Sequence, residues 1–343
     1  MTFAALVAYG WNDRWAALLA EVDAPGAVPG RVVRHDGVAL GLALPDGVRQ
    51  VHFARTLDPA PTVGDWVVVS GGAPVQVLPR TSLLTRRAAF GDGTQQLAAN
   101  VDGMLVVCGL DRPVRAGRID RFVTLAWDAG AVPTVVLAKA DLADDAAAIA
   151  EEVAAAHPGL DVVTASVVDD RGIDAVRALA AGRTVVLVGE SGAGKSSLTN
   201  ALLGDEVMAV REVRAGDAKG RHTTATREAH PLPGGGVLID TPGIRAVGLA
   251  ADPDAVAATY ADIDDLASGC RFSDCGHAGE PGCAVATAVE DGRLAPERLE
   301  GWRELERETA AAELRAAPHL LRARNRRFGR IAREAQRRKD RDR

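Results

Sequence analysis

The segment GESGAGKSS, Gly189 to Ser197, has the composition of a phosphate cradle. Its glycines, Gly189, Gly192 and Gly194, let backbone N–H groups curl around an anion, with Glu190, Ser191 and Ala193 filling the loop between them. Lys195 reaches β and γ phosphate oxygens and thereby also serves catalysis. The Ser196 hydroxyl suits Mg²⁺, Ser197 extends the turn, and the dipole of the following helix favours negative charge. Downstream, GVLIDTPGI places Asp240 at a strand end, suited to a second Mg²⁺ contact through water, and Gly243 where its N–H meets a γ-phosphate. Between them GRHTTATRE offers Thr223 or Thr224 to close the metal shell from a loop that orders only with a triphosphate.

A base-reading segment lies upstream, in LAKADL. Asp141 accepts from guanine N1–H and the 2-amino group. Adenine offers neither donor there, so the wrong base leaves a buried acceptor unpaired. The Lys139 stem lies over the purine face. Farther on, TASVVDDRG sets Ser166 in a second base-contact loop whose backbone N–H groups meet guanine O6. After Asp-Thr-Pro-Gly comes Ile244, which cannot orient a water. Hydrolysis is therefore slow unaided or uses another group, and His222, beside Thr223, is the candidate.

A different chemistry sits in CRFSDCGHAGEPGC. Cys270, Cys275, His277 and Cys283 follow one another at spacings of five, two and six. Three thiolates and one imidazole form a closed tetrahedral shell for a structural Zn²⁺ ion. Cys108 stands in an apolar run and reads as a small buried hydrophobe.

These segments need elements to hold them. Residues 1–28 carry a short helical pattern (Trp11, Trp15, Leu18, Leu19, Val22) as an N-terminal extension. Residues 29–85 hold five short β-rich runs, RVVRH, VALGLAL, VRQVHF, WVVVS and VQVL, punctuated by tight-turn signals, which predict a small five-stranded OB-like barrel. Residues 95–250 alternate buried-strand runs with helical stretches at 143–156 and 172–181, which predicts a parallel α/β sheet. Residues 251–330 form a helical zinc-binding part, and 331–343 a basic tail, flexible when unbound.

The order of base motif, second base loop, phosphate loop, switch and DTPG resembles that of circularly permuted GTPases. With VGDW, AANVDGMLVV, GRHTT and the Cys/His cluster, residues 29 to 330 resemble the small-ribosomal-subunit-dependent GTPases of the RsgA/YjeQ family. The resemblance implies a multidomain α/β protein: OB-like barrel, permuted P-loop GTPase domain and C-terminal zinc domain. It implies hydrolysis of GTP to GDP and phosphate, stimulated by the small ribosomal subunit, in late maturation of that subunit. It also implies the hydrolytic role for His222. Permutation places DTPG directly before the zinc domain, so GTP would fix the pose of the three parts for binding and hydrolysis would release it. One departure is Ala138, where the family has Asn or Thr, which weakens guanine preference without abolishing it. A P-loop ATPase or small-metabolite kinase is opposed by Asp141. A zinc-dependent RNA-binding module with a vestigial nucleotide site is opposed by Lys195, Ser196 and Asp240.

The 343 residues are 47% apolar and 25% charged, which excludes whole-chain disorder. Four Cys exclude a disulfide scaffold and suit a reducing, cytoplasmic setting. No signal peptide or spanning helix is read, so no membrane partner is expected, and a monomer is the expectation. Net charge is −6, but residues 315–343 hold twelve Lys or Arg against three Asp or Glu, so the body is acidic and the tail suits ribosomal RNA phosphates. Aromatics that could stack on bases in the barrel are few, chiefly Phe53 and Trp66.

Overall fold

The computed structural model describes residues 3–87, 94–204, 227–240 and 252–316. Two short helices, α1 (Ala4–Val7) and α2 (Asp13–Ala20), open the chain, α2 being capped by Asn12. Trp11 and Trp15 pack their rings on Trp66, which is fully buried and so unavailable to a base. Five strands follow: β1 (Val28–His35), β2 (Ala39–Leu44), β3 (Gly47–His52), β4 (Trp66–Ser70) and β5 (Ala73–Val77). They pair antiparallel in the order β3-β2-β1-β4-β5. Val32, Leu40, Leu42, Val67 and Val69 form a core of their own inside the curl. Among the described residues no ladder joins β3 to β5, so the strands form a curled sheet and the closed barrel expected from sequence is not established.

A hairpin, β6 (Leu83–Arg87) and β7 (Thr94–Ala99), separates this unit from the α/β part. There the chain runs β8 (Gly103–Gly109), α3 (Ala116–Ala129), β9 (Val132–Ala138), α4 (Ala146–Ala156), β10 (Asp161–Ala165), α5 (Ile173–Ala180), β11 (Thr184–Gly189), α6 (Lys195–Leu203), β12 (Glu228–Pro231) and β13 (Val237–Asp240). Strand order is β10-β9-β8-β11-β13-β12, parallel except for β12. The β-branched runs are buried on both faces, as a helix-covered parallel sheet requires. The chain moves outward from β8 to β10 and returns to β11, so the order reverses between β8 and β11. That reversal opens a crevice at the carboxyl ends of the strands, where ligands bind in such sheets. One residue pair, Arg34 with Glu228, links β1 to β12 and makes the two sheets continuous.

Among the described residues the last part holds four helices, α7 (Pro253–Thr259), α8 (Ala261–Ala267), α9 (Ala284–Glu290) and α10 (Pro296–Ala316). It docks on α3 through buried polar contacts. Arg298 donates to Asp120 Oδ1 at 2.9 Å and to Asp262 Oδ1 at 2.9 Å, with its guanidinium over the Tyr260 ring. Thr124 and Thr259 hydroxyls meet at 2.8 Å. Gly301 permits this approach, since a Cβ there would stand 2.9 Å from the Tyr260 hydroxyl. Among the described residues no helix is long and apolar enough to cross a membrane.

Candidate functional site

The phosphate loop joins β11 to α6 at the crevice. Gly189 has φ +143°, and a Cβ there would lie 2.2 Å from the Val107 carbonyl oxygen, so β8 and the loop touch backbone to backbone. Gly192 and Gly194 also take positive φ, and Gly194 caps α6. Ala193 is buried against Gly109. Lys195 opens α6, and its Nζ donates to the carbonyls of Gly189 at 2.8 Å and Glu190 at 2.5 Å. Ser196 and Ser197 follow on the first turn of α6. Sequence reasoning missed the partner of Glu190, which is Arg118 on α3. Arg118 lines, with Arg112, Arg121, Phe122 and Ser191, a cleft of about 420 Å³ beside the loop.

The residues expected to read the base converge at the ends of β9 and β10. Lys139 adopts a left-handed backbone (φ 59°) and starts the tight turn Ala140–Leu142 that carries Asp141. The Ser166 hydroxyl donates to Asp141 Oδ1 at 2.7 Å, so the two loops meet. The Ser166 N–H donates to the Arg171 carbonyl at 2.8 Å, so it is not the N–H that faces a base. Lys139 Nζ donates to Asp111 Oδ2 at 2.8 Å. Hydrogen bonds from Arg112 and Lys139 hold the Asp111 carboxyl down at about 2. Asp240 ends β13, beside β11, at the same end of the sheet as the phosphate loop that leads to Ser196. His222, Thr223, Thr224 and Gly243 lie outside the described residues.

The second cluster is built by a segment without strands. The ligand atoms of Cys270, Cys275, His277 and Cys283 all lie within 4.8 Å of one another. Cys270 and Cys283 Sγ are 3.9 Å apart. Two thiolates on a tetrahedral ion with Zn–S of about 2.3 Å would be about 3.8 Å apart. His277 Nδ1 lies 3.4 Å from Cys283 Sγ and 3.6 Å from Cys270 Sγ. The donor set and its spacing fit Zn²⁺. His277 takes φ 54°, its carbonyl accepts from Arg303, and its ring lies against Trp302, both on α10. The Cys283 sulfur also caps α9, accepting from the Ala286 N–H. Cys108 is apart from this cluster, and burial pushes its thiol up to about 11, which leaves it inert.

A phosphate loop and two base-reading loops on one sheet edge, met in the chain with the base loops first, define a circularly permuted GTPase fold. The solved structure titled YloQ, a circularly permuted GTPase, superposes with TM-score 0.62 at 23% identity, covering 84% of this chain and 97% of that one. YjeQ from Thermotoga maritima superposes with TM-score 0.64 at 26% identity, over 83% of this chain and 99% of that one. The sequence model of the RsgA GTPase family matches residues 77–250. A Streptomyces coelicolor protein named small ribosomal subunit biogenesis GTPase RsgA is 45% identical over 97% of this chain and 96% of its own length. The chain belongs to the RsgA GTPase family.

Proposed function

We propose that this chain is a GTP hydrolase acting in biogenesis of the small ribosomal subunit. The observation that carries this reading is 45% identity over 97% of the chain to a relative of that name. Asp141 and Ser166, joined by their 2.7 Å hydrogen bond, select guanine. The backbone of Gly189–Ser197 and the Lys195 ammonium hold the β and γ phosphates. Ser196 and Asp240 hold Mg²⁺, which supplies charge neutralisation at the phosphate oxygens. Thr223 or Thr224 and the Gly243 N–H close over the γ-phosphate, and His222 orients the attacking water. Cys270, Cys275, His277 and Cys283 hold one structural zinc ion.

The parts divide as extension (1–28), OB-like barrel (29–85), permuted GTPase domain (95–250), zinc-helical domain (251–330) and basic tail (331–343). The chain acts as a cytoplasmic monomer, the barrel and tail meeting ribosomal RNA through backbone and phosphate contacts. The deciding experiment is hydrolysis of GTP and of ATP with and without purified small subunits. GTP turnover that rises with subunits, with little ATP turnover, is expected. Equal turnover of ATP, or GTP turnover indifferent to subunits, overturns the reading.

A further inference from the structure

Position 138 ends the strand that delivers the base-reading turn, and it is an alanine. Its methyl carbon lies 3.6 Å from where a Cβ at Gly194 would stand. The base segment therefore borders the phosphate loop with room for little more than a methyl group between them, and the Ala138 side chain offers no hydrogen bond. The next residue, Lys139, sits in a left-handed conformation that is unfavourable for a side chain with a Cβ. Something must hold it there.

The β8–α3 loop supplies the hold. Asp111 Oδ2 accepts from Lys139 Nζ at 2.8 Å, and the two side chains are 24% and 30% exposed. The other carboxylate oxygen folds back over Gly109, 2.6 Å from where a Cβ would be, in the same spot where Gly109 packs on Ala193 of the phosphate loop. Arg112 Nε donates to that oxygen at 3.2 Å. The Lys139 stem is thereby led alongside the phosphate loop, its Cγ and Cε each 3.8 Å from where a Gly194 Cβ would stand. Two residues later the turn presents Asp141.

We infer that Asp111 is a positioning residue for guanine recognition, its carboxylate fixing Lys139, and through it Asp141, where Ala138 provides no polar tie to the phosphate loop. The inference rests on the guanine reading of Asp141 proposed above.

The test is titration of fluorescent GDP, with unlabelled ADP as competitor, on the full chain and its variants. Charge alone gives the opposite sign: deleting a carboxylate beside a polyphosphate site tightens anion binding. Positioning predicts that Asp111→Ala weakens GDP binding about fivefold, the scale of a partly exposed ion pair, and lowers the GDP-to-ADP preference with it. Asp111→Asn, which keeps the shape and loses the charge, falls between. In an Ala138→Asn background the Asp111→Ala penalty shrinks toward unity, because the asparagine restores a polar tie. Melting curves confirm that each variant is folded. GDP binding by Asp111→Ala equal to or tighter than that of the unaltered chain overturns the inference, as does an equal penalty in both backgrounds. An unaltered chain that binds GDP no better than ADP overturns the guanine reading itself, and the inference with it.

Discussion

The phosphate crevice and the zinc knuckle solve the same problem by opposite means. In the crevice, the sheet positions the ligand groups before any ligand arrives. Gly189 is pressed against the Val107 carbonyl, and Ala193 against Gly109, so the loop is shaped by backbone contact with β8. The knuckle has no sheet beneath it. Its four donors come from fourteen consecutive residues, brought together by bends at Gly279 and Gly282 and steadied by α9 and α10. The first region is organised by the fold and lends that order to its ligand. The second, where four donors meet with little framework beneath them, would draw much of its order from a bound ion.

The largest effect should come from breaking the knuckle. Structural zinc in small sites supplies on the order of 10 kcal/mol of folding free energy. Chelating the metal should open residues 252–316 to amide exchange, while β8 and β11 stay protected. Loss of protection across both regions together would show that the sheet depends on the ion too. A smaller effect is expected from Gly189→Ala, which sets a Cβ against a carbonyl at a positive φ. Strain on the order of 1–3 kcal/mol should weaken GDP binding roughly five- to hundredfold, with zinc stoichiometry unchanged. Unchanged GDP affinity would mean the loop is not shaped by β8.

The smallest effect concerns the joint between the two regions. His157 Nε2 lies 3.3 Å from Asp120 Oδ1, which also accepts from Arg298 of α10. Burial pushes the imidazole down, but the Asp120 carboxylate beside Nε2 and the Val153 carbonyl against Nδ1 outweigh it and hold its pKa above the ordinary value of 6.5. A group raised on folding stabilises fully below its unfolded pKa, and that stability is lost as pH rises through the folded value. Melting temperature should therefore fall as pH rises above the ordinary imidazole value of 6.5, and fall less in His157→Gln. Parallel curves for the two proteins would remove His157 from the account.

What was legible in the sequence was what is contiguous. The phosphate loop, the knuckle ligands and the five N-terminal strands each lie within one short segment, where residue type and spacing carry the signal. The cross-chain partners were not legible. Asp111 meets Lys139 from 28 residues away, and Asp120 meets Arg298 from 178 away, so no local pattern announces either pair. Arg31 reads as a polar strand residue. It is buried because the fold places its guanidinium against the Tyr9 carbonyl, the Thr184 hydroxyl and the Trp66 ring at once. The strands β6 and β7, at Leu83–Arg87 and Thr94–Ala99, straddle the expected boundary between residues 85 and 95, and their Thr, Arg and Gln give no apolar alternation to announce a hairpin. Closure of the N-terminal strands depends on how far β3 and β5 curl, which strand patterning does not encode.

The largest apolar cluster has a consequence for dissection of the chain. It runs from Leu6 and Trp15 through Val33, Trp66 and Val68, then Leu84 and Leu97, into Met104, Phe122, Val186 and Ile239. Truncation at residue 95 would therefore leave an oily wall facing water on each fragment. The N-terminal strands are not an appendage that can be clipped off and moved elsewhere, and shortened versions of this protein should be insoluble on either side of the cut.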